Sequence, residues 1–132
     1  MPAAPRLSGL EIGLSGACAG VVAPEDTCRS VGTGELDVLA TPKVLAMLER
    51  AALNALEGLL DPDLTTVGVR VQLEHLLPMG VGESICARAS LLTVRGRRIT
   101  FAVLLHDSEE RVIGVGRLTR AVVERKSFVA QS

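Results

Sequence analysis

The strongest limit on the fold is a change of periodicity midway along the chain. One stretch, opened by Thr41-Pro42 and running to about Leu60, is rich in Leu, Ala, Met and Glu, all good helix formers. Thr is a favoured N-cap and Pro a favoured first helical residue, and Asp61-Pro62-Asp63 ends the run. After Leu64 the pattern alternates. Val67, Val69, Val71, Leu73 and Leu77 fall on one face of a strand, with Arg70, Gln72 and Glu74 on the other. Ser84 to Val94 is a second strand, and Arg95-Gly96-Arg97 a hairpin turn. Ile99, Phe101, Val103 and Leu105 line one face of a third. Asp107 to Glu110 is another turn, and Arg111 to Val123 a fourth strand. Such short turns make the neighbours antiparallel.

Upstream, Leu10 to Val22 is apolar, contains small residues and holds one more strand. Ala23 to Leu39, with Pro24, Gly32 and Gly34, reads as a long irregular loop, and Met1 to Ser8 as a loose Pro/Ala arm. One long helix and one antiparallel sheet make an α+β fold, most simply packed with the sheet wrapped around the helix. The 132 residues are expected to form a single domain, 1–132. With no second helix expected, the other sheet face is left uncovered.

Composition narrows the function. Fourteen Lys+Arg against fifteen Asp+Glu leave a net charge of −1, without the basic excess of a nucleic-acid binder. There is no Trp or Tyr on which bases could stack. His75 and His106 are too few for a multi-histidine metal site, and neither metal nor cofactor is expected. Cys18, Cys28 and Cys86 are odd in number and fit no zinc or CxxC spacing, which reads as free thiols in a reducing, cytoplasmic setting. The longest uncharged stretch, Ile12 to Pro24, contains three glycines and is too short to span a membrane. It also lacks the cleavage site of a signal peptide. A mean hydropathy of +0.37 is high for so small a domain. The surplus apolar surface is expected at an oligomer interface, a homodimer in the simplest case.

Two polar residues then fall in apolar places. On a helical wheel with Leu45 as the origin, Leu56, Ala52 and Leu48 crowd the same side. Glu49 falls just beyond Leu56 on that side and Thr41 between Ala52 and Leu48, while Lys43, Arg50, Asn54 and Glu57 share the wet face. His75 shares the apolar strand face of Val71 and Leu73. Each residue alone has a plain structural reading, as an edge carboxylate, a core imidazole and a helix cap. Together they point Thr41, Glu49 and His75 toward one helix–sheet crevice. A carboxylate and an imidazole there suit acid–base or nucleophilic chemistry. Gly68 reads as a strand glycine at a bulge, or as a close approach to a ligand. Arg95, Arg97, Arg98, Arg117 and Arg120 read as solvated charge or as partners for an anionic ligand. Cys86 shares a strand face with Arg88, with no local signature of a catalytic thiol.

The strand, loop, long helix and four-strand order resembles the hotdog fold. Ala40-Thr41-Pro42, Glu49 eight residues after Thr41, and Gly68 seven residues before His75 resemble the fluoroacetyl-CoA thioesterase family. Arg95-Gly96-Arg97-Arg98, His106-Asp107, Gly114-Val115-Gly116 and Arg120-Ala121-Val122 continue the likeness, over roughly Val22 to Phe128. The resemblance implies a dimer joined sheet edge to sheet edge, with sites near the interface and an acyl-CoA substrate. It also implies Thr41, Glu49 and His75 as the catalytic set, Gly68 at the thioester, and Arg120 in contact with substrate. That family's lid carries a phenylalanine where Thr33-Gly34-Glu35-Leu36 has no aromatic, and a glycine where Pro42 stands. The expectation is therefore hydrolysis of a small or medium acyl thioester. Two other readings stay open at this level: a non-catalytic acyl-CoA binder, and a dehydratase or hydratase on the same fold.

Overall fold

The alternation after Leu64 becomes four long strands. The computed structural model describes residues 9–131, so the Met1–Ser8 arm lies outside the described residues. Strands β1 (Ser15–Val21), β2 (Leu64–His75), β3 (Ser84–Arg95), β4 (Arg98–Asp107) and β5 (Val112–Glu124) form one sheet. Their order is β1-β3-β4-β5-β2, and every pair is antiparallel. The helices are α1 (Cys28–Val31), α2 (Thr41–Leu56) and α3 (Arg125–Gln131). None of them is long and apolar enough to cross a membrane.

Helix α2 lies across the inner sheet face. Val44, Leu48, Ala51 and Ala55 are buried. They pack with Ile85, Ala87, Ala89 and Leu91 of β3, and with Ile99, Phe101, Val103 and Leu105 of β4. The buried stripe therefore centres on Leu48 and its neighbours one turn away, not on Leu45. Leu45 is only half-buried, and Glu49 sits on the flank of the stripe. The helix can settle onto β1 because Gly16 has no side chain: a Cβ there would collide with the Ala51 carbonyl and the Ala55 nitrogen.

Several local expectations change. The segment from Ala23 to Leu39 is not wholly irregular. It holds a 3₁₀ turn at Pro24–Asp26 and the short α1. Thr27 caps α1, its hydroxyl accepting from the Ser30 N–H at 3.3 Å. α3 is a further helix that the alternating sequence hid, and α2 ends at Leu56 rather than Leu60. Thr41 is not the cap of α2. The N-cap is Ala40, which gives no side-chain cap bond, so the Thr41 hydroxyl is free for another partner.

The largest correction is on β2. Gly68 pairs with Arg120 and Arg70 with Thr119, leaving Val69 as an extra residue. This bulge shifts the phase of the strand. Thr66 and Gly68 share the inner face with Val71, Leu73 and His75, and Val67 turns outward, because Thr66 opposes buried Val122 and Val71 opposes buried Leu118. β2 is also an edge strand. Val69 and Val71 are exposed on it.

At the far end of the sheet, Asp107 closes the β4–β5 turn. Its carboxylate accepts from the Glu109 N–H at 2.9 Å, the Arg111 N–H at 2.8 Å and the Arg111 Nε at 2.7 Å.

Candidate active site

The candidate residues divide into two groups along α2. At its N-terminus, the Thr41 hydroxyl and His75 Nδ1 share a hydrogen bond of 2.9 Å. Thr41 is the first residue of α2 and His75 the last of β2, so the helix start and the strand end are tied at this point. The other ring nitrogen, His75 Nε2, is buried and has no hydrogen-bond partner among the described residues. Such an atom costs free energy unless an occupant satisfies it. The pair opens on a trough of about 280 Å³, walled by Cys28, Val38, Leu39, Leu76, Leu77 and Pro78. Its walls are apolar, and Thr41 and His75 are its polar side chains.

Two turns along the helix, Glu49 meets Arg120. Arg120 Nη1 donates to Glu49 Oε2 at 2.7 Å. The rest of the guanidinium is held by one residue: Nε donates to Thr66 Oγ1 at 2.8 Å, and Nη2 to the Thr66 carbonyl at 3.0 Å. The Arg120 side chain is 7% exposed and that of Glu49 34%. The cation is thus fixed in the interior, while the carboxylate faces a cleft of about 230 Å³ lined by Leu45, Gly68, Val69, Arg70, Val71 and Leu118. Gly68 makes this possible. A Cβ at that position would lie 2.7 Å from Glu49 Oε2.

Eight residues separate Thr41 and Glu49 by about 12 Å along the helix axis. Within one chain they lie in different clefts, and Gly68 stands beside Glu49, not beside Thr41. Arg120, read from the residues as solvated charge or as a partner for an anionic ligand, is 6% exposed, so it is not solvated charge. Thr66 escaped the sequence reading, because a period-two count through Val67 turns it outward. Cys86 and His106 are cross-strand partners on the outer sheet face. His106 is already bonded on both nitrogens, to Arg88 Nε and the Asp107 carbonyl. Among the described residues, no group of three or more His, Cys, Asp or Glu side chains could hold a metal ion.

The sheet wrapped on one long helix, with a His–Thr pair and a carboxylate lining two clefts, is that of a hotdog-fold thioesterase. Solved structures agree. The fluoroacetyl-CoA-specific thioesterase, as a phenylalanine-to-alanine variant, matches with a TM-score of 0.86 and 27% identity, over 94% of this chain and 96% of that one. A thioesterase superfamily member from Thermus thermophilus matches in fold with a TM-score of 0.87 and 23% identity, over 94% and 91% of the two chains. In sequence, the fluoroacetyl-CoA thioesterase of Streptantibioticus cattleyicolor is 30% identical over 95 residues, 72% of this chain and 68% of that protein. The family model for the fluoroacetyl-CoA-specific thioesterase matches residues 22–126. The chain belongs to this family, and it is an acyl-CoA thioesterase.

Proposed function

We propose that Thr41, Glu49 and His75 form the catalytic set, and that a homodimer assembles it from two chains. What supports the assembly is the division of the set into two clefts within one chain. Both clefts border β2, whose outer edge has no strand beside it among the described residues. Open edges invite a further strand. Two β2 strands paired antiparallel about a twofold axis near residues 71 and 72 would set Gly68 opposite the partner's His75. The carboxylate of one chain would then face the Thr–His pair of the other. The exposed Val69 and Val71 would be covered, and the unpartnered His75 Nε2 would gain an occupied site.

In this reading the small or medium acyl group of an acyl-CoA lies in the apolar trough. The Glu49 carboxylate attacks the thioester carbonyl, or takes the proton of the attacking water. Helix N-terminal and Gly68 N–H groups favour the developing oxyanion. The C–S bond breaks and His75 delivers a proton to the leaving thiolate, giving the CoA thiol. Attack by water yields the free acid directly, whereas attack by Glu49 leaves a mixed anhydride on its carboxylate that a water molecule then hydrolyses to the free acid. Thr41 holds the imidazole through Nδ1. No cofactor enters. The cytoplasm is the proposed compartment, supported by the free thiols Cys18, Cys28 and Cys86.

Thiol release from acyl-CoA tests the activity, and complementation tests the assembly. Glu49→Gln and His75→Ala chains are each nearly inactive alone. Co-expressed, they form mixed dimers with one intact site, and a 1:1 mixture recovers about a quarter of wild-type turnover. No recovery, with mixed dimers demonstrably present, would place the whole set within one chain.

A further inference from the structure

We infer that Thr66 is a positioning residue for the hydrolytic carboxylate, acting through Arg120. The inference rests on the proposed role of Glu49. Thr66 touches neither cleft's reacting groups, and it is 7% exposed. Yet it is the sole anchor of the Arg120 guanidinium apart from Glu49 among the described residues. Its hydroxyl oxygen takes Nε and its carbonyl takes Nη2, at 2.8 and 3.0 Å. Two bonds from one residue fix both the position and the plane of a rigid fork. The third nitrogen, Nη1, is then aimed at Glu49 Oε2, 2.7 Å away.

Each of the three Arg120 nitrogens donates to a protein oxygen, which holds the guanidinium as a fixed cation behind the carboxylate. Only Oε2 of Glu49 is engaged, and Oε1 has no partner among the described residues. The arrangement pins one carboxylate oxygen and leaves the other for chemistry. The pin also resists rotation, because Gly68 offers Oε2 a close seat that any Cβ would fill. Thr66 opposes Val122 in the ladder, and Gly68 opposes Arg120. Cation and seat thus share one rung of the strand pair and the anchor lies two rungs away on the same face, and small displacements of a catalytic group are costly to rate.

Three substitutions test the inference. Thr66→Ser keeps the hydroxyl, Thr66→Ala removes it, and Thr66→Val removes it with little change of volume. Thr66→Val and Thr66→Ala are expected to lower kcat on acyl-CoA about tenfold, with KM within about twofold. Thr66→Ser is expected to stay near wild type. If Thr66→Val fails to fold, the Ser and Ala variants alone carry the comparison. In a Glu49→Gln background, removal of the hydroxyl is expected to lower kcat no further, since the two residues act as one unit.

A merely structural Thr66 would lower turnover equally in both backgrounds, and that result overturns the inference. So does a Thr66→Ser variant as slow as Thr66→Ala, or a Thr66→Val variant at wild-type kcat. If wild type hydrolyses no thioester, the proposed activity falls first. The anchor is then read from the Arg120 Nε proton by NMR, which is expected to resist exchange in wild type and Thr66→Ser and to exchange freely in Thr66→Ala. Free exchange in wild type removes the anchor itself.

Discussion

The Thr41–His75 pair and the Glu49–Arg120 pair are built to opposite specifications. The first is a single hydrogen bond at the rim of an apolar trough, with one imidazole nitrogen buried and unsatisfied among the described residues. The second is a cation with every nitrogen occupied, set behind a carboxylate that keeps one oxygen open. In the roles proposed for them, the difference separates two demands of hydrolysis. A proton carrier needs a vacant valence, because it must accept and release. A carboxylate that attacks or activates water needs a fixed direction, because its rate depends on aim.

Three perturbations can break or sharpen this contrast. The largest effect is expected at the reacting groups. Glu49→Gln and His75→Ala each lower turnover on the order of 10²-fold or more in a thiol-release assay. Near-native turnover in both, with the fold intact, would remove both from the chemistry. A smaller effect is expected from Gly68→Ala, which crowds the seat of Glu49 Oε2 and leaves the Thr41–His75 pair alone. Its kcat falls about tenfold with little change in KM, and an unaltered kcat would show that the carboxylate needs no seat.

The smallest effect is expected at Asp107, which is as fully bonded as Arg120 but remote from both clefts. Burial pushes its carboxyl up, while hydrogen bonds from Arg111 and Glu109 pull it down more strongly, so it lies below the ordinary 3.8. A lowered carboxyl stabilises the fold above that ordinary value, and the contribution is lost as pH falls through the folded value. Asp107→Asn should therefore lower Tm at neutral pH, flatten the dependence of Tm on pH below about 4, and spare kcat. Loss of kcat would mean that dense hydrogen bonding alone does not single out the Glu49 side.

Much of this was legible in the chain. Alternation gave the strands, Thr41-Pro42 the start of the helix, and the polar residues on inner faces marked Thr41, Glu49 and His75. Other features were hidden for physical reasons. A helical wheel keeps direction and discards height, so Thr41 and Glu49 looked like neighbours while standing two turns apart. The burial of Arg120 depends on its pairing with Gly68, a contact 52 positions distant in sequence (120 − 68), and no local pattern carries it. Thr66 was concealed by the bulge, because one extra residue reverses the meaning of every position counted through it.

That bulge has a consequence for how such a chain can vary over generations. Val69 is held by number more than by kind. Its replacement by another residue leaves the two halves of β2 in phase with their partners, whereas its deletion would join them in one regular ladder. Either Thr66 and Gly68 or His75 would then turn to the outer face. Insertions and deletions at this position are therefore closed to the lineage, while substitutions remain open.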